Sequence, residues 1–211
     1  MATENTKPAA FYGVKNVKYA LRDADGKISD TAEALALPKA KSLVLNPAVN
    51  TQEVYADDIK LLAIVSDQGY TGTYGCTGQD EAFEEALGLM FGGDDGVIYG
   101  VKMTNPVRFD LYYEYTVHPE KKKPFIMKVW VYGIELGKPS LSHATNTQNV
   151  TIGDYQYPLT GYGETIMGDN DKPYTNEEGF ELIALRAICK PGDTAYETFG
   201  EKPHIPMKTA A

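Results

Sequence analysis

The stretch that decides the fold spans residues 107–136 and reads VRFDLYYEYTVHPEKKKPFIMKVWVYGIEL. In its first half the side chains alternate with a period of two residues, which is typical of a β-strand with one buried face. One face carries Val107, Phe109, Leu111, Tyr113, Tyr115 and Val117, and the other carries Arg108, Asp110, Tyr112, Glu114, Thr116 and His118. A polar turn follows, and then a second apolar run from Phe125 to Leu136. The stretch therefore predicts a long β-hairpin.

Further strands are expected on both sides of this hairpin. The alternation of Phe11 to Arg22 predicts a strand, and residues 41–45 predict a second one that Asn46-Pro47 ends. Residues 49–56 are polar and extended, and apolar residues then follow from Ile59 to Val65. Residues 150–159 have the pattern of a short strand pair, and residues 180–188 that of a strong strand. The fold class is thus predicted to be mainly β, a sandwich or barrel.

One segment, QDEAFEEALGLMFGG at residues 79–93, departs from the β pattern. Its apolar residues recur at helical spacing and its glutamates occupy the opposite face, which predicts one amphipathic helix of about Asp80–Phe91 packed on the sheet. Thr77 or Asp80 is expected to cap its start, and Gly92-Gly93 to end it.

Composition limits the classes of function. The chain has 211 residues, and its 20 basic and 29 acidic side chains give a net charge of −9, which disfavours binding to nucleic acid or to an anionic membrane. No apolar run is long enough to span a membrane, and no secretory signal is expected. We expect one domain over residues 1–211, with a polar leader at 1–10 and a polar tail at 191–211.

The sequence offers little support for catalytic or metal chemistry. The three histidines lack metal-ligand spacing, and the acids of the Asp23–Gly26 turn lack the register of a calcium loop. The glycines at 72, 75 and 78 precede a helix that opens with acids, which would repel a phosphate. We expect no metal and no cofactor. Cys76 and Cys189 are expected to be free thiols, with a bridge between them as the alternative.

Two classes of function that need no metal and no cofactor stay open. A carbohydrate-binding β-sandwich module would explain the 15 tyrosines, although the single tryptophan counts against it. A β-rich hydrolase that uses paired carboxylates is a weaker possibility, because spacing along a sequence does not reveal such a pair.

Four segments in order carry a family resemblance: FYGVKNVKYA (11–20), ALPKAKSLVL (36–45), VYADD (54–58) and TGTYGCTGQDEAFEEALG (71–88). Together they resemble the major tail proteins of phages with long, non-contractile tails, over roughly residues 10–190. The resemblance implies a structural protein, with no active site, that forms hexameric rings stacked head to tail into the tail tube. It implies a place in the virion after assembly in the host cytoplasm, with other tail proteins at the tube ends. Double-stranded DNA would pass through without specific binding.

Candidate site residues follow from that role. A ring requires sheet edges that pair between copies, and a stack requires a heterologous interface. We expect the polar arm at residues 46–58 to reach a neighbouring ring or subunit, and the basic turn to meet acidic loops of an adjacent subunit, such as Asp57-Asp58 or Asp94-Asp95. The expected contact residues are Tyr55, Asp57, Asp58, Lys121, Lys122 and Lys123. An acidic channel would repel DNA, and the expected channel-lining acids on polar strand faces are Glu53, Asp110 and Glu114.

Overall fold

The fold is mainly β, as predicted, with a large antiparallel sheet and one short helix. The computed structural model describes residues 8–29, 31–37, 39–56, 59–102, 105–120, 122–140, 155–168 and 172–207. In chain order the elements are β1 (Pro8–Leu21), β2 (Leu35–Ala36), β3 (Ala40–Ala56), β4 (Ile59–Cys76), α1 (Glu81–Ala86), β5 (Met90–Gly92), β6 (Ile98–Gly100), β7 (Phe109–Pro119), β8 (Phe125–Leu136), β9 (Tyr155–Gly161), β10 (Glu164–Thr165), β11 (Ile183–Ala184) and β12 (Arg186–Cys189).

An eight-stranded sheet forms the body of the molecule. Seven strands follow the order β2-β1-β7-β8-β9-β4-β3, and β12 pairs with β8. The predicted hairpin is confirmed as β7 and β8, which pair in register from Phe109–Ile134 to Val117–Phe125. The sheet curls, so that β1 and β3 contact each other although they lie near its opposite edges. This curl gives a β-sandwich-like fold with its main core inside.

Helix α1 closes one end of the curled sheet. The ring of Phe83 lies 4.6 Å from the ring of Tyr19, 5.7 Å from that of Phe109 and 6.2 Å from that of Tyr157. Aromatic rings at these separations attract each other in addition to the gain from burial. Because Phe83 touches three strands of the sheet, it fixes the helix to the core.

The helix is shorter than the sequence predicts. Asp80 is its N-cap, as expected, and its carboxylate accepts a hydrogen bond from the Phe83 N–H. However, α1 ends at Ala86, and Gly88 adopts a φ of +68°, a left-handed conformation that glycine adopts without steric cost. The prediction that the helix reaches Phe91 is therefore wrong, because residues 90–92 form β5.

The arm is more regular than expected. Asn46-Pro47 does not end a strand, because β3 runs through it to Ala56. Pro47 lies at a shift in register, in a strand at the edge of the sheet, and an edge strand tolerates the missing N–H. The predicted strand at 180–188 is divided into β11 and β12. The described part of the predicted pair at 150–159 belongs to β9, and residues 150–154 lie outside the described ranges.

Residues 190–207, which we call the strap, cover the outer face of the sheet. Beneath the strap lies a second cluster of buried side chains that includes Ala20, Tyr112, Trp130, Tyr132, Cys189 and Phe199. Side chains of the sheet donate to strap carbonyls: Lys128 to Tyr196 across 2.6 Å, Trp130 to Phe199 across 2.6 Å and Tyr132 to His204 across 2.5 Å. The predicted polar tail is thus, over residues 191–207, a packed part of the fold.

Candidate self-assembly surfaces

The most exposed element is the distal part of the β3–β4 hairpin, residues 46–56 and 59–69, which we call the arm. Among the described residues, β3 pairs only with β4, and β4 pairs with β9 only from Tyr70 onward. Eleven residues of strand extend about 36 Å at roughly 3.3 Å each. The arm therefore projects from the body as a two-stranded ribbon, and its side chains are exposed from Val49 to Tyr55 and from Ile59 to Gln68.

The two faces of the arm carry different side chains. Residues that pair across the strands share a face, so Val54 lies beside Leu62 and Gln52 beside Ile64 on one face. The opposite face pairs Glu53 with Ala63 and Thr51 with Val65, so it combines an acid with apolar side chains. The acid Glu53 therefore lies on the face opposite Leu62 and Ile64.

Glu53 and Tyr55 lie together on the face opposite Leu62 and Ile64. The Glu53 carboxylate accepts hydrogen bonds from the ammonium of Lys60 and, across 2.5 Å, from the hydroxyl of Tyr55. The bond from Lys60, followed by that from Tyr55, lowers the pKa of Glu53. Glu53 is thus an exposed, ionised side chain, and the ring of Tyr55 is exposed beside it. Asp57 and Asp58 lie outside the described residues.

The other two expected channel-lining acids are buried. Asp110 is 1% exposed, and its Oδ1 accepts hydrogen bonds from the Arg22 guanidinium across 2.6 Å and from the Gly133 N–H across 2.9 Å. Glu114 is 9% exposed and accepts from the Asn16 amide and the Tyr112 hydroxyl. The prediction that they line a channel is wrong, because packing covers the polar face of β7.

The electrostatics of Asp110 follow from its burial. Loss of water raises the pKa of Asp110 above its ordinary value, although the adjacent Arg22 opposes that rise. The Arg22 guanidinium also bonds to Glu164 across 2.5 Å, so one buried cation joins two carboxylates from β7 and β10. This is a structural link between β1 and its neighbours and not a surface for a partner.

The basic turn lies between β7 and β8, as the sequence predicts. Lys122 and Lys123 are exposed, whereas Lys121 lies outside the described residues. The turn follows Pro119 and precedes Phe125, at the end of the strands away from α1.

At that same end the curled sheet is open, and the opening forms a cleft of about 680 Å³ that we call the mouth. Its walls come from β1, β3, β4, β7 and β12, and its aromatic lining includes Phe11, Tyr12, Tyr70, Tyr113 and Tyr115. The ring of Phe11 is 68% exposed.

A second projection lies at the opposite end, beside α1. Strands β5 and β6 form a small hairpin, residues 90–100, which we call the knob. The side chains of Phe91, Ile98 and Tyr99 are 58%, 44% and 48% exposed. The turn of the knob carries Asp94 and Asp95, and the Asp95 carboxylate accepts from the Val97 N–H to hold the turn.

No protein-family model matches the chain, and no curated protein matches it.

Other kinds of site receive little support from the structure. Within the described residues, no three His, Cys, Asp or Glu side chains are grouped in a way that could hold a metal ion. The helix that the structure describes has six residues, and none of the described helices could cross a membrane.

Sequence reasoning did not find the mouth or the knob. The mouth combines residues that are up to 177 positions apart along the chain, from Phe11 to Ile188, so no local motif marks it. The predicted helix includes Met90 and Phe91, the first two residues of the knob, and the signal that could have revealed the hairpin is Gly88, followed by the alternation of Val97, Tyr99 and Val101.

Proposed function

We propose that this protein is a structural tail-tube protein of a phage with a long, non-contractile tail. Copies form hexameric rings, the rings stack head to tail, and the channel conducts double-stranded DNA without binding it specifically. The protein has no catalytic activity, and its partners are further copies of itself and the proteins at the two ends of the tube. It is assembled in the host cytoplasm and functions in the virion.

The arm carries this proposal. A two-stranded ribbon that stands alone in water is marginally stable, and this one exposes six large aliphatic side chains beyond Asn50: Val54, Ile59, Leu61, Leu62, Ile64 and Val65. Burying one such side chain stabilises a complex by about 1.5–3 kcal/mol. Because the arm is too extended to fold onto its own body, a neighbouring copy supplies the surface that covers it.

The free sheet edges support the same assembly. Strand β2 covers β1 only at Lys18 and Tyr19, and β3 forms the other edge of the sheet. Exposed edges pair readily with other strands. In the proposed ring, the arm part of β3 in one subunit joins the β1 edge of the next, which extends the sheets of six subunits into one continuous wall.

The charge of the chain suits a channel for DNA. A net charge of −9 repels a polyanion, and phosphate charges along the duplex would otherwise hold it at every basic ring. Glu53 is the expected acid that the structure leaves exposed, on the face of the arm opposite Leu62 and Ile64. We assign that face to the channel and the face of Leu62 and Ile64 to the protein contact.

Electron microscopy of concentrated protein, together with sedimentation velocity, tests the proposal. We expect rings and tubes from the wild-type chain. Leu62→Glu combined with Ile64→Glu places two charges in the apolar contact and should leave monomers with an unchanged circular dichroism spectrum. Thr51→Glu with Ala63→Glu adds the same charge to the opposite face, at two exposed residues outside the six aliphatic side chains, and should still assemble. A wild-type chain that stays monomeric at every concentration would contradict the proposal.

The carbohydrate-binding alternative has one observation in its favour, the aromatic lining of the mouth. Sugar sites combine aromatic rings with polar side chains that bond the hydroxyl groups. The polar side chains of the mouth are the tyrosine hydroxyls, Ser42, Lys41 and Arg186, and its described lining includes no carboxylate or amide. Titration with oligosaccharides, followed by tyrosine fluorescence, separates this alternative from self-assembly.

A further inference from the structure

Along β1, β4 and β7 the mouth lies toward the end of the strands away from the knob, whereas on β3 its lining reaches Ser42, which pairs with Gly75. Along β4, Tyr70 lines the mouth, whereas Cys76, six residues later, precedes the turn into α1. Along β7, Tyr115 lines the mouth and Phe109 packs against Phe83 of the helix. The knob follows α1 and is attached there through the hydrogen bond from the Val101 N–H to the Leu89 carbonyl. One end of the body is therefore concave and the other convex.

The two ends are also complementary in charge. The lining of the mouth includes the cations Lys41 and Arg186 and, within the described residues, no acid. The exposed Lys122 and Lys123 lie at the same end of the strands. The knob presents Asp94 and Asp95 in its turn, and both side chains are exposed. Opposite charges on facing surfaces guide association and exclude wrong orientations.

The surfaces match in size and polarity as well. The knob is a tight hairpin of three residues a strand, and it is closed by the hydrogen bond from the Gly93 N–H to the Val97 carbonyl. It presents the apolar side chains of Phe91, Ile98 and Tyr99 on a narrow element. A cleft of about 680 Å³ lies within the roughly 300–1,000 Å³ that encloses a drug-sized molecule, enough for several side chains.

We propose that the knob of one copy inserts into the mouth of the next copy, and that this contact stacks one ring on another. This inference rests on the proposed function, for which it names the ring-to-ring contact. Because the two surfaces differ and lie at opposite ends, the contact is heterologous and repeats without closing, which produces an open stack. The arm and the free edges remain for contacts within and between rings.

A charge exchange tests the contact. Asp94→Lys places a cation against the basic mouth, and Arg186→Glu places an acid against the acidic knob. Each single variant should raise the protein concentration needed for tube formation by about tenfold or more, since like charges then face each other in the contact. The double variant, Asp94→Lys with Arg186→Glu, restores opposite charges and should assemble near the wild-type concentration. Glu85→Lys alters an exposed acid of α1 outside the knob and serves as the matched control.

The outcomes separate this inference from the proposed function. Electron microscopy of the single variants should show separate rings that no longer stack. The knob-and-mouth contact would be overturned if the single variants formed tubes as the wild type does, or if the double variant did not recover tube formation. Either result would leave the tail-tube function in place. Loss of the rings themselves in the single variants would place the contact within a ring and also overturn the inference. Absence of any ordered wild-type assembly would instead contradict the proposed function.

Discussion

The indole N–H of Trp130 donates a hydrogen bond to the main-chain carbonyl of Phe199, across 2.6 Å, and so ties the centre of the sheet to the strap. Both side chains are buried, Trp130 completely, in the cluster that the strap covers. Because the chain has one tryptophan, the tryptophan fluorescence of the protein reports on the surroundings of this indole.

Phe199→Ala should destabilise the protein and expose Trp130. Removing a buried phenylalanine ring leaves a cavity and costs about 3–5 kcal/mol. We expect the free energy of unfolding, measured by urea denaturation, to fall by that amount. The tryptophan emission of the folded variant should move to longer wavelength. Thr198→Ala, next to it in the strap but exposed, should change neither quantity. An unshifted emission in Phe199→Ala would show that the strap does not shield the indole.

Glu84→Ala should weaken the attachment of the helix. The Glu84 carboxylate, 2% exposed, accepts hydrogen bonds from the Tyr157 hydroxyl across 2.5 Å and from the Gln79 amide across 3.0 Å. The variant leaves a buried hydroxyl without its acceptor, which costs about 1–3 kcal/mol. Chemical denaturation measures the loss, and Glu85→Ala on the exposed side is the control. Tyr157→Phe should reduce the effect of Glu84→Ala, and full additivity of the two changes would contradict a direct interaction.

Arg22→Met should destabilise the protein in a way that depends on pH. The variant leaves Asp110 buried without its cation, and breaking such a pair costs about 3–5 kcal/mol near neutral pH. Burial already raises the pKa of Asp110, and removal of the guanidinium raises it further. Since a raised carboxyl pKa means that the folded state favours the proton, Asp110 destabilises the variant least below the unfolded pKa of about 3.9, and this destabilisation grows as pH rises through the folded pKa.

Denaturation of Arg22→Met and wild type at pH 4 and pH 8 measures this dependence. We expect the difference in unfolding free energy between the two proteins to be smaller at pH 4. An equal difference at both values would show that the charge of Asp110 is not its source.

Both thiols should react slowly in the folded protein. Cys76 and Cys189 are free and buried, as the sequence predicts, and burial is the main cause that raises the pKa of each thiol. Because the thiolate is the reactive form, alkylation at pH 8 should be much slower than for a free thiol. Addition of denaturant should make both thiols of each chain reactive. Rapid labelling of either thiol without denaturant would contradict this burial.

The sequence by itself determined the β class and the β7–β8 hairpin, and it limited the helix cap to Thr77 or Asp80, because these depend on the period of apolar residues and on one local hydrogen bond. It also indicated an arm at residues 46–58, although it did not predict an unbroken ribbon. The sequence placed the end of the helix too late, because the spacing of the apolar residues Leu87, Met90 and Phe91 is compatible with a helix as well as with a strand.

The tertiary structure alone decided which faces are buried. Alternation shows that Asp110, Tyr112 and Glu114 share a face, but it does not show what covers that face. The apolar residues of the strap have no regular period, so nothing in its sequence reveals that it packs on this face. Arg22, the residue after β1, bonds to Asp110 from 88 positions away along the chain, and such a distant contact has no local signal either. The mouth and the knob likewise arise only when the sheet curls, because a cleft between distant strands depends on their arrangement in space and has no local signal.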